Sequence, residues 1–168
     1  PVPCLRKSFN LPDTVVSARL YVTALGLFEY TINGQVIGDD VFAPGWTDYR
    51  KRVQYLTYDV TDVLQIGDNV MGAIVGDGWA AGYVGWVGRQ NYVDRPQLLA
   101  QLEVTFTDGD IKRIVTDDTW HYQFGPITHS DLIMGEAYDA RKELIDWDSL
   151  TYDASNWFPV ATFSHPDT

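Results

Sequence analysis

Alternation of two, rather than helical periodicity, runs through this chain. Ala18, Leu20, Val22 and Ala24 take turns with Arg19, Tyr21 and Thr23, and Leu98, Ala100, Leu102, Val104 and Phe106 alternate with Gln101, Glu103 and Thr105. That spacing puts one set of side chains on one face of a pleated strand, so each run predicts a half-buried strand. Two turn dipeptides fall between such runs. Asn33-Gly34 separates residues 28–32 from 35–37, and Asp108-Gly109 separates 102–106 from 111–115. Both supply the positive φ values that tight hairpins require. Residues 52–59 and 70–75 are further strand candidates. Helical signal is confined to one turn at 61–64, opened by a Thr or Asp cap. Short strands joined by turns predict an all-β fold: an antiparallel sandwich of jelly-roll type, with a closed barrel as the alternative.

One segment breaks the rhythm. Between Gly76 and Pro96 lie further glycines at 78, 82, 85 and 88 and the rings of Trp79, Tyr83, Trp86 and Tyr92. A loop of that length inside a compact domain is usually functional. There is no internal repeat. The chain divides into one sandwich module over 1–148 and an exit segment over 149–168 leading to a next domain. It opens on Pro1 and closes on Ser164-His165-Pro166-Asp167-Thr168, which reads as a linker, so a longer parent protein is expected.

Charge and composition narrow the chemistry. Twelve Lys and Arg against 23 Asp and Glu give a net charge of −11, which repels phosphate backbones and anionic lipid surfaces. Neither a nucleic-acid nor a membrane role is expected. Cys4 stands alone, in what reads as a tail, so an intrachain disulfide and a multi-thiolate zinc site are excluded. A lone cysteine leans towards a reducing compartment such as the cytoplasm. His121, His129 and His165 are too dispersed for a helical zinc motif, and no apolar run approaches the ~20 residues of a membrane helix. The glycines around Gly76-Asp77-Gly78 do not form a phosphate loop, and no serine lies in a GxSxG setting. Loop acids such as Asp77 and Glu136 leave a small independent hydrolase as a minor reading, since that chemistry needs two facing carboxylates. Asp39-Asp40, Asn91, Asp94 and the Pro96 carbonyl are oxygens of the kind hard cations take. Trp46, Tyr49, Trp79, Trp86 and Tyr92 fall outside the alternating strands. Such rings either pack on the C–H faces of sugars or cap the core and contact a neighbouring domain.

Longer strings carry a resemblance. Residues 30–38 (YTINGQVIG), 42–49 (FAPGWTDY), 53–62 (VQYLTYDVTD), 76–79 (GDGW), 94–96 (DRP) and 135–141 (GEAYDAR) occur in an order that resembles the N-terminal module of bacterial α-L-rhamnosidases. The resemblance implies a galactose-binding-domain-like jelly roll that precedes an (α/α)-barrel catalytic domain in the same polypeptide. The catalytic acids belong to that barrel, so no catalytic residue is expected in this chain. The module would be accessory: it would shape the catalytic cleft or bind L-rhamnose or a rhamnosylated glycan, in some relatives through calcium. On that basis Asp40, Trp79, Trp86 and Asn91 are the expected carbohydrate-binding residues. Asp40, Asn91 and the Pro96 carbonyl are the expected calcium ligands. Where the family often carries a large aromatic and then a basic residue, this chain has Ala80 and Ala81, leaving Tyr83 and Trp86 to supply the bulk. Asp48 is expected to order its own loop, and Arg141 to pair with Glu136 or meet the next domain. The competing expectation is a purely structural interdomain module without a ligand.

Overall fold

The computed structural model describes residues 1–163; the linker reading of 164–168, with His165, lies outside the described residues. Twelve strands follow one another: β1 (Pro3–Leu11), β2 (Val15–Leu25), β3 (Leu27–Ile32), β4 (Gln35–Val36), β5 (Leu56–Asp59), β6 (Gly67–Gly76), β7 (Gln97–Phe106), β8 (Ile111–Val115), β9 (His121–Phe124), β10 (Ile127–Asp131), β11 (Gly135–Tyr138) and β12 (Phe158–Pro159). They form a six-stranded sheet ordered β12-β9-β1-β6-β3-β4, a four-stranded sheet ordered β5-β2-β7-β8, and a separate β10-β11 ribbon. Every pairing is antiparallel. The fold is thus an all-β sandwich, and the barrel alternative falls away because the sheets remain separate.

The alternation read from the sequence is what builds the interior. Ala18, Leu20, Val22 and Ala24 from β2 and Ala100, Leu102, Val104 and Phe106 from β7 meet Phe28, Tyr30 and Ile32 from β3 and Met71, Ala73 and Val75 from β6. Each large side chain removed from water there contributes about 1.5–3 kcal/mol. At the β3–β4 hairpin, Asn33 and Gly34 both adopt positive φ, 51° and 79°. That is the geometry an Asn-Gly turn is suited to supply.

β6 is buried on both faces, and its outer face is covered by the chain that follows β11. A Cβ added to Gly72 would sit 2.8 Å from the Trp147 ring and 2.6 Å from Thr31 Oγ1, so glycine is what leaves room for the indole against the strand. Trp147 stacks on Trp157 at 5.9 Å and 23°. Arg6 in β1 holds this strap by donating from Nε to the Trp147 carbonyl (3.0 Å) and from Nη2 to the Ser149 carbonyl (2.9 Å). β12 then pairs with β9, Phe158 opposite Tyr122, and the Val160 amide donates to the Trp120 carbonyl at 3.2 Å. Residues 149–160, read from the sequence as exit segment, therefore lie along the sandwich. A two-residue strand has no period to recognise.

Three local expectations are corrected. Cys4 is not in a tail: it sits buried in β1 opposite Ile74, and burial together with the charge of Asp148 pushes its thiol up to about 11. β1 escaped notice because its outer positions, Cys4 and Arg6, are buried too and blur the alternation. The strand expected over 52–59 shrinks to Leu56–Asp59. At the 3₁₀ turn Thr61–Val63 the cap position is held by Val60, whose side chain makes no capping hydrogen bond, and Asp59 just before it accepts from the Thr61 amide (3.1 Å) and hydroxyl (2.7 Å).

Candidate functional site

Two long connections meet beside the sandwich: 37–55, between β4 and β5, and 77–96, between β6 and β7. The first is anchored where the Phe28 amide donates to the Ala43 carbonyl at 3.0 Å, with Ala43 and Pro44 buried beneath it. The Tyr49 hydroxyl donates to the Gly45 carbonyl at 2.9 Å; burial and neighbouring Tyr92 push that phenol up to about 12. Asp48 organises the next turn, as its sequence context suggested. Its carbonyl accepts from the Lys51 and Arg52 amides (2.8 and 3.0 Å), and its carboxylate accepts from Arg50 Nε (2.9 Å). The hydrogen bond from the Arg50 side chain holds that carboxyl below the usual range.

The second connection is more structured than the loop its glycines suggested. Gly78 opens a single helical turn, Gly78–Ala81, at φ 52°, where a Cβ would stand 2.8 Å from Leu27 Cγ. Ala80 and Ala81 are fully buried. Larger residues there would have to displace this turn. The returning chain is pinned through the Gln90 amide on the Ala81 carbonyl (3.1 Å) and the Val93 amide on the Ala80 carbonyl (3.3 Å). Asp131, at the end of β10, ties the middle of the connection to the ribbon by accepting from the amides of Tyr83 (2.8 Å), Ile133 (2.8 Å) and Met134 (3.0 Å). Burial opposes its ionisation, but these three amides and the charge of Arg89 outweigh burial and lower its pKa.

Between the two connections stands a group of rings. Trp79 stacks on Trp46 with centroids 6.0 Å apart and planes 7° from parallel, and Phe42 meets Trp79 edge-on at 6.1 Å. Trp46 and Phe42 nevertheless remain 50% and 59% exposed. Alongside, Tyr49 and Tyr92 form an edge-to-face pair at 5.0 Å, and the Arg50 guanidinium lies 5.2 Å from the Tyr92 centroid. Arg89 ion-pairs with Asp77 and approaches the Tyr83 ring at 6.0 Å. The surface thus combines a flat aromatic area with nearby guanidinium, carboxylate and amide groups.

The residues singled out in the sequence fall differently around it. Trp79 is the half-buried centre of the stack. Trp86, on the turn Gly85–Val87, is 98% exposed and pairs with no ring among the described residues. Asp40 accepts from the Tyr58 hydroxyl at 2.8 Å, and burial, then Asp40 itself, raises the Tyr58 pKa. Asn91 is half-buried beside Tyr92, and Pro96 lies just before β7 against Gly26. Among the described residues no hydrogen bond joins Asp40 to Asn91, and no three His, Cys, Asp or Glu side chains gather as a metal site. The expected Glu136–Arg141 pair is not formed. Arg141 donates from Nε and Nη2 to Asp139, both at 2.8 Å, because the 3₁₀ turn at Ala140–Lys142 folds it back on its own cap. Glu136 lies on the exposed β11, and Asp77 is engaged by Arg89. Phe42, Arg89 and Asp131 were not anticipated. Phe42 lies inside the FAPGWTDY string and could have been found there, whereas Asp131 carried no signal beyond a turn acid.

Two packed antiparallel sheets carrying long aromatic connections define an all-β sandwich module; the lectin of Pleurotus ostreatus shares this fold at TM-score 0.59 and 19% identity. The match to the model of the α-L-rhamnosidase N-terminal domain runs over residues 13–168, and the chain belongs to that family. It is 53% identical over 157 residues to an α-L-rhamnosidase of Streptomyces avermitilis, covering 93% of this chain and 15% of that protein. To one of Formosa agariphila it is 44% identical, covering 95% and 17%. Among solved structures, the S. avermitilis α-L-rhamnosidase complexed with L-rhamnose superposes at TM-score 0.92 with 51% identity, over 95% of this chain and 16% of that one. The Aspergillus terreus enzyme does so at 0.94 with 44% identity, over 98% and 19%. The chain therefore spans about one-sixth of the length of the relatives it matches.

Proposed function

We propose that this chain is the non-catalytic accessory module of a glycoside hydrolase releasing terminal α-L-rhamnose, and that its aromatic loop face holds a rhamnosyl unit of the substrate. The observation that carries this reading is the Trp46–Trp79 stack, flanked by Phe42 and left half open to solvent. Leaving such rings in water is unfavourable unless an apolar surface covers them, and the C–H face of a deoxysugar is one. The relative from S. avermitilis was solved as a complex with L-rhamnose, which supports that choice of sugar. Trp86 extends the same surface, and Asp40 and Asn91 supply hydroxyl partners. A calcium ion belongs to the proposal through the chemistry of its donors: the Asp40 carboxylate, the Asn91 amide oxygen and the Pro96 carbonyl are all hard oxygens. With Asp40 already accepting from Tyr58, loading calcium there would compete with that hydrogen bond.

The test is calorimetric titration of the module with L-rhamnose, in calcium and again in EDTA. Heat in calcium that disappears in Trp79→Ala is the expected result. Heat retained in EDTA would remove calcium and leave the sugar site. Silence in both buffers would overturn the sugar reading and favour a ligand-free module that only joins domains.

A further inference from the structure

We propose that the outer face of the β5-β2-β7-β8 sheet is a second binding surface, and that it takes an extended, uncharged oligosaccharide lying across the strands. The choice of a glycan rests on the reading above that the chain serves a glycoside hydrolase. Strand register places the residues. Thr57, Tyr21, Gln101 and Val115 stand side by side in one row across the four strands, and Asp59, Arg19, Glu103 and Arg113 in the next. Leu20, Val22, Leu102 and Val104, which alternate with them along β2 and β7, are buried, so both rows face outwards. Tyr21 there meets Tyr55, the residue just before β5, with ring centroids 6.4 Å apart and planes at 55°. Tyr55 is 65% exposed, and its ring pairs with β2 rather than with the rings of the loop face.

A sheet face turned to water is ordinarily polar. Two features set this one apart: the ring pair on a central strand, and hydrogen-bonding capacity left unused around it. Thr23 donates to the Gln54 carbonyl, Asp59 accepts from the Thr61 hydroxyl, and Glu103 accepts from Arg113 at 2.7 Å. The side chains of Arg19, Tyr21, Tyr55, Thr57 and Gln101, by contrast, make no hydrogen bond among the described residues. Rings set among free hydroxyl, amide and guanidinium groups match a pyranose, with its C–H face and its rim of hydroxyls. Strands lie about 4.8 Å apart, close to the repeat of an extended pyranose chain, so successive sugars meet successive strands.

Charge selects against other occupants. The second row alternates in sign, Asp59, Arg19, Glu103, Arg113, and sums to zero in a chain of net charge −11. Its charges are matched to their neighbours within the sheet, so the face offers little to an ionic partner. An uncharged polar ligand adds hydrogen bonds without breaking those pairs. A protein partner would call for apolar area at the centre of the face. Here the exposed apolar side chains stand at the rim: Leu99 at the end next to the loops, and Ile111 and Val115 on the edge strand β8.

The test titrates the isotope-labelled chain with cellohexaose, xylohexaose and mannohexaose, three neutral pyranose chains, and follows amide shifts by NMR. At least one is expected to move the amides of Thr57, Tyr21 and Gln101, and saturating L-rhamnose should leave that response unchanged. Tyr21→Ala should weaken the affinity about tenfold, whereas Tyr21→Phe, which keeps the ring, should retain most of it. Trp79→Ala should have no effect on it. Far-ultraviolet circular dichroism reports whether the sandwich remains folded. Should Tyr21→Ala unfold it, exposed Tyr55→Ala serves instead, with the same expected loss. Shifts with none of the three hexamers would overturn the proposal. So would shifts confined to the loop face, or binding that L-rhamnose displaces. Silence towards L-rhamnose alone removes the loop site and leaves the hexamer result standing.

Discussion

Rings in the sandwich interior and rings at the loop face are chemically the same and are used in opposite ways. Trp120 is almost wholly removed from water and donates its indole N–H to the Val115 carbonyl at 3.0 Å, while buried Tyr30 turns its hydroxyl to Met71 Sδ at 3.2 Å. These two interior rings thus contribute nearly their full area and have their polar atoms satisfied by a neighbour. At the loop face, Trp46, Trp79 and Phe42 satisfy one another on one side only. Stability of the fold explains the first group completely. The second group is held in place by the fold yet adds little to it, and that difference is what the proposed sugar-binding role rests on.

The sharpest way to break the comparison is to cut into the interior. Leu102→Ala, at a fully buried position of β7 facing Leu20 across the β2–β7 register, should cost about 2–5 kcal/mol. Urea unfolding would show it as a lower midpoint with an unchanged slope. A cost under about 1 kcal/mol would mean that the interior collapses around the gap rather than holding its packing.

Next in size is the tie between ribbon and loop. Asp131→Ala strands three amides, those of Tyr83, Ile133 and Met134, and should cost about 2 kcal/mol in stability. Because the folded pKa of Asp131 is lowered, its contribution is complete above the unfolded value of about 3.9 and is lost as pH falls through the folded one. The gap between wild type and Asp131→Ala should therefore be constant at neutral pH and close on acidification below about 4. Exchange of the Tyr83 amide with deuterium, expressed as a protection factor against the free-peptide rate at each pH, is the direct readout and should fall once Asp131 is protonated. Protection that persists after Asp131 has taken up its proton would show that other contacts hold the loop.

Legibility in the sequence divides along the same line. The β2 and β7 alternation and the Asn33-Gly34 turn were readable because each is a local pattern that decides its own geometry. β1, β9 and the Trp147–Trp157 strap were not, since their burial depends on partners distant in the sequence, as in Ile74 beside Cys4 and Trp147 beside Arg6. At the candidate site, the residue types were readable and the groupings were not. Trp79 and Trp86 were both expected among the sugar-binding residues, whereas the chain stacks Trp79 on Trp46 beside Phe42 and leaves Trp86 paired with no ring among the described residues. Stacking across two separate connections leaves no spacing in the sequence to detect.

Smaller still is the cost of opening the stack. Trp79→Ala removes one offset ring pair and one edge contact on a half-exposed surface, so stability should fall by about 0.5–1.5 kcal/mol, well short of Leu102→Ala. Affinity for L-rhamnose should fall at least tenfold in the same variant, about 1.4 kcal/mol of binding. A loss in stability as large as that of the core variant would place Trp79 with the interior rings and undo the distinction between the two regions.

The smallest expected effect is the most discriminating. Trp86 touches almost nothing, so Trp86→Ala should move the unfolding midpoint by no more than about 0.5 kcal/mol. Its turn is closed by backbone alone, the Val84 amide on the Gly88 carbonyl (3.1 Å) and the Val87 amide on the Val84 carbonyl (2.9 Å), and survives loss of the ring. Any change in rhamnose affinity must then come from the indole itself. If affinity drops while stability holds, the binding surface reaches from the Trp46–Trp79 stack out to the tip of the 77–96 connection. If neither moves, the surface ends at Trp79.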